Sequence, residues 1–351
     1  MLLITVDTWR ADHLSAELSP EAWGVGERGA RFTDAWSPIG LTTASHASLL
    51  TGELPPQHGV RANNHHGFTL APEAVTLAER FSEAGFATAA FVSAWPAGPE
   101  GGLDQGFDSF SGPDSGERPT AETLAEARAW LEEQDRPWLL WVHAYDPHGP
   151  YQPSERDLRA VGGGSSDAQR YRGEVHQADR LLGPLAREVL ARSGTVVWTS
   201  DHGEVLDEER CGVQHERSSS EQVLRVPLVA AGLGIQAGVV DRRVGLTDVA
   251  PTLAKAWGVP ETRPGLFEVD RTVWVGESGL CDPDCASGCS PPGVLGKDLV
   301  VHGPSSRLIQ RPGVGWLGDR SLEEHLAGYA PPTEDPQDNN AEKVRALGYQ
   351  D

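Results

Sequence analysis

The sequence predicts an α/β fold, a mainly parallel central sheet sandwiched by helices with a small C-terminal subdomain, and three observations carry that expectation. Apolar runs recur at residues 2 to 6, 87 to 93, 138 to 144, 195 to 200 and 226 to 232, without the polar alternation of a half-exposed strand. Helical stretches at about 73 to 84, 119 to 134, 166 to 192 and 247 to 257 separate most of them, the alternation of a sheet covered on both faces. Polar residues follow the apolar runs, at the strand ends where such sheets bind ligands.

Taken in order, LLITV ends directly on Asp7, so a buried strand delivers a carboxylate at its carboxyl end. TTASHASLLTG, starting at Thr42, puts a hydroxyl at a predicted helix start. The strand WLLWVHA runs into Asp146 and His148 of DPHGPY, and TVVWTS runs into Asp201 and His202 of SDHGE. Beyond about residue 265 Gly and Pro become frequent and only short strands, within RTVWVGE and KDLVVHG, are visible. We therefore divide the chain into a catalytic domain over 1–265 and a small subdomain over 266–351. There is no internal repeat and no long low-complexity run.

The 351 residues carry 51 acidic and 29 basic side chains, a formal charge of −22, which argues against nucleic acid or an anionic membrane as partner. The three lysines, Lys255, Lys297 and Lys343, all lie away from the polar motifs. No run of about 18 apolar residues is present, so no membrane span is expected. MLLITV reads as a strand and not as a signal peptide; a periplasmic or secreted location then implies a processed or truncated start, and otherwise the reading is cytoplasmic. Cys281, Cys285 and Cys289 cluster in CDPDCASGC with Cys211 distant, a pattern open to disulfides, free thiols or a structural metal. Oligomeric state is not legible.

An unassisted threonine hydroxyl is a poor nucleophile at neutral pH and needs a base or a cation to favour its alkoxide. Asp7, Asp201 and His202 are the candidates to bind a cation beside Thr42. Thr43 is the competing nucleophile, one residue along. Asn63 offers an amide donor, Arg61 and Arg217 are candidate anion binders, and His143 is expected to satisfy a core hydrogen bond. No role is assigned to His58, His65 or His66.

Counted back from Leu50-Thr51-Gly52, this segment resembles the signature of the sulfatase family of the alkaline phosphatase superfamily. The blocks LLITVDTWRADHLS, TGELPPQHGV, DPHGPY, SDHGE and RVPL occur in the family's order, and the resemblance extends over about residues 1 to 260. It places Thr42 where sulfatases carry the Cys or Ser that becomes formylglycine, so no formylglycine is expected. It also places His46 at the signature arginine, Ala44 at its proline, Ser93 at an anion-binding lysine and Trp95 at a histidine. Asp7, Asp201 and His202 match metal ligands, while Thr8 stands at a second aspartate. The more nitrogen-rich set favours zinc or manganese over calcium or magnesium. Asn63 and His46 match groups that contact the ester.

What remains is similar to the superfamily's threonine-nucleophile phosphatases and phosphodiesterases, in which a second metal replaces the cationic clamp. Asp146, His148 and His215 are its candidate ligands here, or they contact the substrate directly. The resemblance thus implies a metal-dependent hydrolase, with one or two divalent ions, cleaving phosphate mono- or diesters of a small molecule, glycan or lipid through Thr42. Sulfuric ester hydrolysis without formylglycine, a phospho-transferase and an inactive binding protein are the other readings.

Overall fold

The computed structural model describes residues 1–63, 68–206, 215, 216, 218–278, 298–311, 315–327 and 329. The four cysteines, His65, His66 and Arg217 lie outside the described residues.

Strands β1 (Leu2–Val6), β2 (Ala30–Trp36), β3 (Ala87–Val92), β4 (Ser109–Ser111), β5 (Trp138–Ala144), β6 (Val196–Ser200), β7 (Arg225–Ala231), β8 (Gly238–Val240) and β9 (Val244–Gly245) form one sheet. Its order is β4-β3-β5-β1-β6-β7-β2-β8, with β9 also on β2. All pairings are parallel except those of β7, which runs antiparallel to both β6 and β2.

Successive side chains on a strand face opposite sides, and the central strands use both. Leu3, Trp141 and Val197 pack on one side with helices α2 (Thr42–Thr51), α4 (Leu77–Glu83) and α9 (Val249–Ala256). Leu2, Ile4, Leu140, Val142 and Trp198 pack on the other with α1 (Pro20–Arg28), α5 (Thr120–Glu132) and α7 (Asp167–Ala191). Three short helices, α3 (Pro55–His58), α6 (Glu155–Ala160) and α8 (Glu221–Leu224), lie in the connections. The double burial explains the unbroken apolar runs.

Register fixes where the chemistry falls. Val6 pairs with Ala144 on one side and Ser200 on the other, so Asp7, Tyr145 and Asp201 leave the sheet at one level. Helix α2, buried along its whole length, begins above that edge and ends on Gly52, whose φ of +73° closes the last turn.

A second, antiparallel sheet of β10 (Trp274–Glu277), β11 (Leu299–His302), β12 (Arg307–Arg311) and β13 (Gly315–Gly318) follows. It meets the first through a bridge between Ile39 and Glu277 and through the Trp274 indole N–H, which donates to Ser37 O at 2.9 Å.

Candidate active site

Thr42 is the first residue of α2, and Leu41 is the N-cap in extended geometry. Its hydroxyl is not spent on capping: Oγ1 donates to Asp7 Oδ2 at 3.2 Å. Thr43 is committed elsewhere, its Oγ1 donating to Pro96 O at 2.7 Å. Of the two adjacent threonines, Thr42 is the one whose hydroxyl the backbone aims at Asp7.

Asp7, Asp201 and His202 each present one ligand atom within 4.8 Å of the others, the one such group among the described residues. His202 Nε2 lies 3.5 Å from Asp201 Oδ2 and 4.0 Å from Asp7 Oδ1. Asp7 Oδ1, Asp201 Oδ2 and His202 Nε2 are all buried without a hydrogen-bond partner. His202 Nδ1 faces Gly203 O at 3.0 Å; a carbonyl only accepts, so in the neutral ring the proton sits there and Nε2 carries the lone pair.

Burial pushes the Asp7 and Asp201 carboxyls above their usual range, and for Asp201 the neighbouring Asp7 charge adds to it. Burial opposes charge on His202 too, but Asp201 and Asp7 outweigh it and its pKa is raised. Two buried carboxylates side by side with three unsatisfied ligand atoms fit a divalent cation, whose charge relieves the repulsion. Asp7, Asp201 and His202 are the residues that would hold it, with the Thr42 hydroxyl beside them on Asp7.

The backbone is bent to build this arrangement. Thr8, a β-branched residue, sits at φ +53°, a conformation costing on the order of 1–3 kcal/mol. The bend turns its N–H onto Asp201 Oδ1 at 3.3 Å, and the Tyr171 hydroxyl braces it by donating to Thr8 O at 2.7 Å. The resemblance puts Thr8 where many sulfatases carry an aspartate, and the sequence gives no sign of this turn.

His46, expected at the ester, lies one turn into α2 and fully buried. Its Nδ1 donates to Thr42 O at 2.8 Å, which leaves Nε2 to accept from Thr5 Oγ1 at 3.0 Å. Both nitrogens are thus occupied beneath Thr42. Thr5 also accepts from Trp141 Nε1 at 2.9 Å and meets His143 Nδ1 at 3.0 Å. Burial drives His46 down to about 3 and His143 to about 4, so both imidazoles are neutral.

Asn63 accepts from Thr43 N at 3.0 Å, and its Nδ2 is buried without a partner. Arg61 is not turned to a ligand: its guanidinium forks onto the buried Glu277 carboxylate, with Nε at 3.0 Å from Oε1.

The three residues expected at a second cation are divided. His148 and His215 meet edge to face at 5.2 Å, and His215 stacks on His202 at 4.4 Å. Asp146 faces away, accepting from Thr120 and, at 3.0 Å, from Gln177. Burial lowers His148 to about 4 and His215 well below the ordinary range. His215 Nδ1 lies 3.2 Å from Glu204 Oε2, its Nε2 has no partner, and burial raises Glu204 to about 7. Glu204 belongs to the SDHGE block, and its adjacency to the motif acid was the signal available for it.

The positions that the resemblance matches to an anion-binding lysine and a histidine, Ser93 and Trp95, are closed off. Ser93 Oγ bonds Thr123 Oγ1 at 2.8 Å, and Trp95 is fully buried.

A parallel-rich sheet whose strand ends bring a helix-borne hydroxyl, two carboxylates and an imidazole together is what this chain builds, and its sequence makes it a member of the alkaline phosphatase superfamily. Within it, the chain belongs to the sulfatase family, whose model, described as Sulfatase, matches residues 1–259. Human arylsulfatase A is 26% identical over 300 residues, covering 66% of this chain and 58% of that protein. The ulvan-active sulfatase of Formosa agariphila is 23% identical over 368 residues, covering 89% and 65%. The chain thus spans about three-fifths of the length of these two curated relatives. Among solved structures, the phosphonate monoester hydrolase of Agrobacterium radiobacter superposes with TM-score 0.71 at 18% identity, covering 99% of this chain and 95% of that one. A protein solved with its substrate D-glucosamine-2-N,6-O-disulfate superposes with TM-score 0.73 at 16% identity, covering 99% and 96%. These two likenesses speak to the fold.

Proposed function

We propose that the chain is a metal-dependent ester hydrolase in which Thr42 attacks the phosphorus of a phosphate mono- or diester carried by a small molecule, glycan or lipid. The observation that carries this reading is the Thr42 hydroxyl 3.2 Å from Asp7, beside three unsatisfied ligand atoms. A divalent cation held by Asp7, Asp201 and His202, with zinc or manganese favoured by the ligand set, would lower the pKa of the Thr42 hydroxyl and offset charge on the ester oxygens. Thr42 Oγ1 gives up its proton to solvent and forms a bond to phosphorus as the bond to the leaving oxygen breaks; that oxygen takes a proton from water and departs as the alcohol. Water then attacks the phospho-threonine, releasing the phosphate product and restoring the hydroxyl. Asn63 directs its unpartnered Nδ2 at a non-bridging oxygen, where charge develops. The first N–H groups of α2 favour the same anion. His148 and His215 line the far side, in contact with the substrate or a second cation, and His46 braces the Thr42 carbonyl from below.

Sulfuric ester hydrolysis is the second reading, and the names of the curated relatives favour it. Against it, threonine has no route to formylglycine, and by the resemblance Ser93 and Trp95 stand where sulfatases carry an anion-binding lysine and a histidine. Turnover of para-nitrophenyl phosphate, its bis-ester and the sulfate by wild type and Thr42→Ala decides among them. Loss of phosphoesterase activity in the variant supports the proposal. Sulfate turnover alone selects the second reading, and equal activity in both proteins removes Thr42 from the mechanism. No turnover of any ester, together with ester binding, selects an inactive binding protein.

A further inference from the structure

Glu277 lies 235 positions beyond Thr42 in sequence, on the first strand of the second sheet, yet it touches both segments that feed the site. Its backbone N–H donates to Pro38 O at 2.8 Å and its residue bridges Ile39, three positions before Thr42. Its side chain, wholly buried, takes the fork of Arg61, two positions before Asn63. The approach is close: a Cβ on the preceding Gly276 would lie 2.9 Å from Pro38 O. Arg61 is itself only 6% exposed, so the pair is a desolvated, bidentate ion pair with fixed geometry. The same stretch is tied again where Ser37 Oγ meets Ser45 Oγ at 3.0 Å, and Ser45 Oγ donates to Asp201 O at 2.7 Å.

We propose that Glu277 is a positioning residue, clamping the strand end that delivers Thr42 and the loop that delivers Asn63 at the separation the reaction needs. The inference rests on the reading of Thr42 and Asn63 given above and adds a role for the second sheet. A buried ion pair is weak evidence for stability, because apolar side chains of similar volume often replace one without loss. Its value here is geometric: it holds the two backbones at the separation across which Asn63 Oδ1 accepts from Thr43 N, beside the nucleophile.

Orthovanadate binding to the zinc-loaded protein, measured by calorimetry, tests this without any turnover. Asn63→Ala should weaken vanadate binding, and Glu277→Gln should weaken it by about tenfold to a hundredfold while leaving zinc affinity unchanged. Combined, the two should do no more than Asn63→Ala alone, since the clamp acts through that amide. Arg61→Met with Glu277→Met removes the clamp but keeps the volume packed, so it should reproduce the loss in a folded protein. Undiminished vanadate binding in the double-Met variant, or losses that multiply in the Asn63→Ala background, overturns the clamp while leaving the hydrolase reading intact. Equal binding by wild type and Asn63→Ala, or no vanadate binding by wild type, instead overturns the reading of the site and the clamp with it.

Discussion

Replacing Glu174 by glutamine should flatten the pH dependence of stability, and the size of the effect follows from its surroundings. Glu174 projects from α7 and is 5% exposed. Its Oε1 accepts from Gln152 N at 2.5 Å, anchoring the loop that carries His148, and its Oε2 has no partner. Burial, with smaller contributions from Asp146 and Glu117, raises its pKa to about 9. A carboxyl whose folded pKa exceeds the unfolded value of 4.5 keeps a proton that the unfolded chain has released. Stability is therefore complete below that unfolded value and is lost as pH climbs toward the folded one. Between pH 5.5 and 8.5 the loss approaches three pH units at about 1.4 kcal/mol each, or roughly 4 kcal/mol before water at the loop edge screens part of it. Glutamine keeps the acceptor for Gln152 N and does not titrate. Thermal unfolding across that range should show wild type falling several degrees further than Glu174→Gln. Parallel profiles for the two proteins would refute the assignment of a buried proton to Glu174.

Two further outcomes follow from the same geometry. Asp201→Asn should weaken zinc or manganese binding more than about a hundredfold, yet raise the melting temperature of the metal-free protein, because its buried neighbour Asp7 no longer faces a like charge; titration calorimetry and thermal unfolding read the two signs separately. Thr5→Val strips partners from Trp141 Nε1, His46 Nε2 and His143 Nδ1, and chemical denaturation should show a loss of about 3 kcal/mol.

The sheet was legible because its central strands are buried on both faces: five unbroken apolar runs predicted five strands, and each is present. The antiparallel course of β7 was not, since its run VPLVAAG reads the same in either direction. Strands β12 and β13 are short and partly exposed, and lack the pattern that betrayed β10 and β11. At the site, motifs ending on strands delivered Asp7, Asp201 and His202, because a strand terminus fixes a side chain's level. Side-chain partners drawn from remote segments were hidden. His46 stands at a signature position but, four residues along a helix from Thr42, points down to that carbonyl. Arg61 looked available for an anion until Glu277, 216 residues away, accounted for its fork. Asp146 sits in a ligand-like motif, yet Thr120 and Gln177, at the starts and middles of helices the motif does not mention, claim both its oxygens.

The measurement closest to the core of this account is peptide mass mapping after an acid quench of the zinc-loaded protein turning over para-nitrophenyl phosphate. A phosphoryl group on Thr42, absent from metal-stripped protein, is the predicted result. Steady turnover that survives Thr42→Ala, with that residue never phosphorylated in wild type, would contradict it.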